Sequence, residues 1–164
     1  MAATIPLMPG TRGNPWPAGL PVARVRVARP TDRLEALRQF YGHGLGLVEL
    51  GSFEGHAGYS GVFFGLPDAA YHLEFTQHEA GSPCPAPSKD NLLVLYFASA
   101  SEVDRLAARL ADLGYPAVEP ENPYWATAVA SVTVEDPDGW RVVLVKPGTG
   151  GTRSDAAAGP GPSR

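Results

Sequence analysis

The feature that most constrains this chain is that its middle reads twice in the same order. Leu45-Gly46 and Leu113-Gly114 lie 68 residues apart, as do Thr31 and Ser99. An internal repeat of this kind fixes the architecture before any single element does. In the first copy, Val22–Ala28 alternates Val22, Val25 and Val27 with Arg24 and Arg26, the pattern of a half-buried strand that Pro30 closes. Thr31 or Asp32 then caps a helix whose apolar positions Leu34, Leu37, Phe40 and Tyr41 recur at three- and four-residue spacing. A short strand near Leu47–Leu50, a glycine-dense loop Gly51–Gly61, and strands near Val62–Leu66 and Tyr71–His78 complete the order βαβββ.

The second copy opens with the apolar strand Leu92–Phe97. Ser99 or Ser101 caps a helix carrying Val103, Leu106, Leu110 and Leu113. A strand near Ala117–Glu119, a loop with Tyr124 and Trp125, and two strands, Ala128–Glu135 and Trp140–Lys146, flank the turn Asp136-Pro137-Asp138-Gly139. The fold class is therefore α+β, two βαβββ modules in one domain spanning 22–147. Module one is 22–78, the Pro-rich linker 79–90 and module two 91–147. Pro and Gly crowd both ends, so 1–21 reads as a mobile arm, on which Trp16 either docks or hangs loosely, and 148–164 as a disordered tail.

Composition excludes several functions. With 13 Lys plus Arg against 17 Asp plus Glu, the net charge of −4 leaves no basic footprint for nucleic acid or an anionic membrane. No apolar run approaches the roughly 18 residues of a membrane span, and Met1–Pro21 lacks the pattern of a secretory signal. Cys84 is the one cysteine, which excludes an intrachain disulfide and a cysteine-rich zinc site and fits a reducing cytoplasm. Cys84 in its proline-rich linker and Ser60 and Ser131 outside any hydrolase context offer no nucleophile.

The paired βαβββ modules, the segment Phe40-Tyr41-Gly42-His43-Gly44-Leu45-Gly46-Leu47 and the closing Asp136-Pro137-Asp138-Gly139-Trp140 resemble the vicinal oxygen chelate superfamily. That group contains glyoxalases, extradiol dioxygenases, and bleomycin and fosfomycin resistance proteins. The resemblance covers about Val22 to Pro147. It implies two half-barrel sheets enclosing a small-molecule cavity, a homodimer, and a metal held from the first and last strands of each module. Leu73-Glu74-Phe75-Thr76 is similar to the strand that supplies a metal-binding glutamate. The other three positions carry Arg24 or Arg26, Leu92 or Val94, and Val143. One carboxylate is too few for a divalent ion, so no metal cofactor is expected.

Alternation on the strand Tyr71–His78 puts His72, Glu74, Thr76 and His78 on one face. A lone carboxylate facing a cavity would be costly, and an arginine at 24 or 26 supplies the missing cation, which also clamps an anionic ligand. The expectation is an Arg–Glu74 pair in place of the metal. Acid–base chemistry would fall to Glu74 with His72 or His56. Ligand contacts would come from Arg24, Arg26, Tyr59, Phe63, Thr76, His78, Tyr124 and Trp125, with Gly51–Gly61 either a lid bearing Glu54, His56 and Tyr59 or a plain loop. The functional reading is a small-molecule-binding protein for a polar or anionic metabolite or antibiotic, acting by sequestration or metal-free chemistry. Its alternatives are a lyase or dioxygenase with a divalent metal on a rearranged set of His56, His72, Glu74 and His78, and an interaction module without a small ligand.

Overall fold

The computed structural model describes residues 25–66 and 71–148, and the arm, Trp16, Arg24 and most of the tail lie outside the described residues. Two four-stranded mixed sheets repeat one topology. The first has the order β1-β4-β3-β2, from β1 (Val25–Pro30), β2 (Val48–His56), β3 (Tyr59–Gly65) and β4 (Tyr71–His78). The second has the order β5-β8-β7-β6, from β5 (Leu92–Tyr96), β6 (Ala117–Val118), β7 (Ser131–Glu135) and β8 (Arg141–Val145). In each, the first strand pairs in parallel with the last. The duplication seen in the sequence is thus a duplication of sheet and connection, and Gly46 and Gly114 both leave their helices with positive φ, 79° and 92°.

The helices differ from each other. In module two, α2 (Ala100–Asp112) is regular and starts after Ser99, whose hydroxyl meets that of Ser101 rather than a backbone N–H of the first turn. In module one, α1 (Leu34–Arg38) is short and widens at once into a π-helical turn, Gln39–Gly44. Neither Thr31 nor Asp32 caps α1, which starts after Arg33; the Thr31 hydroxyl accepts from the Arg33 backbone N–H at 2.8 Å. The wider turn still buries Phe40, Tyr41 and Gly44. A Cβ on Gly44 would lie 2.6 Å from Leu110 Cδ2, so glycine permits the approach of α2.

One core joins both modules. Leu37, Phe40, Val62, Phe64, Leu73 and Phe75 pack in the same cluster as Val103, Leu106, Leu110, Val134, Val142 and Leu144. The helices lie in that cluster, with Phe40 edge-on to Tyr115 at 5.0 Å and Arg109 Nε donating to the Gly44 carbonyl at 2.9 Å. This arrangement sends the two residue sets of β4 to different surroundings: Leu73 and Phe75 into the shared core, His72 and Glu74 to the opposite face.

The glycine-dense stretch is not a loop. β2 runs on through Phe53 to His56 and turns back into β3 over Ala57 and Gly58, whose φ of 52° and 81° suit a primed hairpin turn. The lid reading fails for a physical reason: the stretch is paired strand on both sides of a two-residue turn, and Gly61 serves close packing inside the sheet. A Cβ on Gly61 would meet Phe53 Cε1 at 2.5 Å and the Phe75 carbonyl oxygen at 3.0 Å. In module two the loop with Tyr124 and Trp125 forms a π-helical turn, Tyr124–Ala128, and the strand expected from Ala128 starts only at Ser131.

Candidate functional site

The face of the first sheet that turns away from the core is laid out by its register. Arg26 stands opposite His72, Ala28 opposite Glu74, and Glu74 opposite Phe63. Arg26 donates from Nη1 to Glu74 Oε2 at 3.1 Å and from Nε to His72 Nε2 at 2.9 Å. A ring nitrogen that accepts from a guanidinium carries no proton, so His72 keeps its hydrogen on Nδ1. The guanidinium also lies over the Phe63 ring, 4.7 Å from its centre, and His72 is edge-on to the same ring at 5.8 Å. Phe53 adds a tilted ring 5.8 Å from Phe63.

The sequence therefore foresaw the Arg–Glu74 pair but left Arg24 and Arg26 open as its cation; Arg26 makes the contact, and Arg24 lies outside the described residues. Phe53 was missed, because the run around it reads as a loop. Period-two alternation with Phe63 was the available signal, and glycine density masked it. Thr76 is half-buried on the same face, opposite Gly61. His78 and Tyr59 form a separate pair near the hairpin turn, rings 4.5 Å apart, and His78 Nδ1 accepts from the Ala80 N–H at 3.1 Å. His56 is exposed at that turn, in register with Tyr59, which stands four residues along β3 from the partner of Glu74. Strand spacing puts that at about 13 Å, so His56 does not join Glu74 in one acid–base site. Tyr124 and Trp125 stack edge-on with each other at 5.0 Å in module two.

The residues do not fit the metal that the fold class uses. A cation would have to displace the Arg26 guanidinium from both His72 and Glu74. At the corresponding positions of module two the face carries Leu92, Val94 and Val143, which have no donor atoms. Among the described residues no three His, Cys, Asp or Glu side chains come together, so the rearranged set of His56, His72, Glu74 and His78 does not converge either.

A second polar centre, unforeseen in the sequence, joins the modules on the other face. Asp136 Oδ1 accepts from the backbone N–H groups of Asp138 and Trp140, both at 2.9 Å, which shapes the turn. Its Oδ2 accepts from the Tyr41 hydroxyl at 2.9 Å and from Arg29 Nη2. Burial, reinforced by the Asp136 charge, pushes Tyr41 well above its ordinary value. Burial likewise raises the Asp138 carboxyl, one of whose oxygens is buried without a hydrogen-bond partner among the described residues. The cavity of about 350 Å³ lies on this side, lined by Leu73 and Phe75 rather than by Glu74. Leu73 and Phe75 line this pocket because β4 alternation turns them toward it and the Glu74 carboxylate to the opposite face.

Two modules of this topology, with an acidic residue retained on β4, define a protein of the vicinal oxygen chelate class, the fold of glyoxalases and fosfomycin resistance proteins. Residues 25–76 match the YycE-like N-terminal domain and residues 90–146 the YycE-like C-terminal domain, and the chain belongs to the YycE-like family. It is 51% identical over 123 residues to the uncharacterized protein YycE of Bacillus subtilis strain 168, across 75% of this chain and 87% of the relative. The crystal structure of a B. subtilis YycE protein of unknown function aligns with a TM-score of 0.75 at 47% identity, over 84% of this chain and 97% of the other. The fosfomycin resistance protein FosX of Mesorhizobium loti aligns with a TM-score of 0.57 over 76% of this chain and 91% of its own, and its 16% identity speaks for the fold alone. Among the described residues no helix is long and apolar enough to cross a membrane.

Proposed function

We propose that this chain is a cytoplasmic small-molecule-binding protein that takes a polar or anionic metabolite or antibiotic on the Arg26 face of module one, without the metal of its fold class. The observation that carries the reading is the state of Arg26. Its guanidinium is oriented by His72, Glu74 and Phe63, yet 40% of the side chain stays open to solvent while that of Glu74 is only 10% exposed. Two of its five N–H groups are used by His72 and Glu74, which leaves three for a ligand oxygen, and Phe53 and Phe63 offer an apolar bed beside them. Glu74 serves to hold the cation and His72 to fix its plane. Thr76 extends the face, and pairing of two chains as a homodimer belongs to the same reading.

The test is a thermal-shift and calorimetric screen of the full chain against anionic metabolites and antibiotics, fosfomycin included, beside Arg26→Met. A ligand at about 100 times its dissociation constant adds roughly 2.7 kcal/mol of stability. The expected result is a ligand whose affinity falls at least about tenfold in Arg26→Met, as loss of a charge-assisted hydrogen bond requires. Ligands that ignore Arg26, or stoichiometric divalent metal that leaves on Glu74→Ala, would overturn the reading. Light scattering decides the homodimer.

A further inference from the structure

The cavity between the modules has the make-up of a binding site in its own right. Val27, Leu73 and Phe75 supply one wall from module one, and Leu92, Leu93 and Trp140 the other from module two. Its volume, about 350 Å³, is in the range of small-ligand sites. Val27, 52% exposed, and Tyr71, 38% exposed, give it an outlet to solvent.

Its polar lining is Arg29, Tyr41, Tyr71, Asn91 and Arg141, and the Arg141 guanidinium is already held by Glu135 and the Glu119 carbonyl. The Arg29 guanidinium lies between two rings, 4.9 Å from the centre of Phe75 and 4.7 Å from that of Trp140. Its charge is balanced by Asp136, and Asp138 Oδ2 stands 4.0 Å away. The Arg29 Nε–H nevertheless is buried without a partner among the described residues. A buried donor left unpaired is a standing cost that an acceptor atom would remove. A carboxylate would bring a third negative charge beside Asp136 and Asp138, whereas a carbonyl would not. Aromatic walls at Phe75 and Trp140 favour a flat molecule.

We propose that this cavity is a second ligand site, separate from the Arg26 face, for a small, planar, largely apolar molecule carrying one uncharged hydrogen-bond acceptor. Acetophenone serves as the probe, with ethylbenzene as its match in size without the acceptor and benzoate as the charged counterpart. The readout is the methyl and amide NMR spectrum of the full chain during titration. Acetophenone is expected to shift the methyl signals of Val27, Leu73 and Leu93 saturably, leave those of Val48 on the other face unmoved, and bind about three- to tenfold tighter than ethylbenzene. Val27→Trp, a change at a half-exposed position that leaves the core intact, is expected to block the outlet and abolish the shifts while leaving ligands of the Arg26 face unaffected.

An absence of saturable shifts, equal affinity for acetophenone and ethylbenzene, or preference for benzoate would each overturn the proposal. So would binding that persists in a folded Val27→Trp variant. None of these outcomes bears on the Arg26 face, whose own failure is read from Arg26→Met.

Discussion

Arg26 reaches across from β1 to Glu74 on β4 at 3.1 Å, although the residue directly opposite it in the ladder is His72. The diagonal contact is possible because an arginine side chain spans one two-residue step of a parallel pair, and the Phe63 ring beneath holds the guanidinium flat. Removing the cation alone, in Arg26→Met, leaves a largely buried carboxylate without its charged partner and is expected to destabilise by about 1–3 kcal/mol. Adding Glu74→Gln should recover part of that loss. A double-mutant cycle by urea denaturation is expected to return a coupling of about 1 kcal/mol, since Arg26 is partly solvated. Zero coupling would dissolve the pair.

Tyr41→Phe removes one of four donors to Asp136 and leaves Arg29 and the two backbone groups in place. The expected loss is about 1 kcal/mol. The pH dependence separates this hydroxyl from mere packing. Because burial raises Tyr41 above its ordinary value of 10.0, the folded state keeps the phenol proton where the unfolded chain would lose it. Its stabilising contribution is full below pH 10 and is lost as pH rises beyond that. The gap between wild type and Tyr41→Phe should therefore narrow in strong alkali, followed by denaturant melts from pH 8 upward.

Asp138→Asn is expected to stabilise the protein at neutral pH. Burial raises this carboxyl above 3.8, so the folded state binds its proton more tightly than the unfolded chain does. Stability tied to this group is present below pH 3.8 and is lost as pH climbs through the raised value. Asparagine stays uncharged throughout, so the variant's advantage should be near zero at pH 3 and grow toward pH 7. An advantage independent of pH would assign the effect to the turn instead.

Gly61→Ala should cost about 1–3 kcal/mol, because the added methyl meets both the Phe53 ring and the fixed carbonyl of Phe75. Gly55→Ala is the comparison: its φ of 62° makes alanine strained, but the methyl would meet nothing within 4 Å. Denaturant midpoints of the two variants check that close packing, and not loop freedom, explains Gly61. Ordering them the other way would restore the loop interpretation.

Period and repetition made most of the fold legible. Alternation at Tyr71–His78 and three- to four-residue spacing at Val103–Leu110 report burial directly, since each element must hide one face, and both elements stand where these patterns put them. The hairpin β2–β3 was hidden because glycine is read as chain freedom, while Gly61 is there to admit a ring. The end of α1 was hidden because a π-helical turn keeps nearly the same apolar spacing as an α-helix.

What the sequence determined by itself is the duplicated topology, the face on which Glu74 lies and the need of that carboxylate for a cation, because these follow from local periodicity and the cost of burying charge. Only the tertiary structure decided that Arg26 meets that need and that a cavity open at Val27 lies behind β4, against Arg29 and Trp140. Those outcomes depend on which strands pair and how two modules share one core, and contacts between residues such as Arg29 and Asp136, 107 positions apart, leave no periodic trace in a single chain.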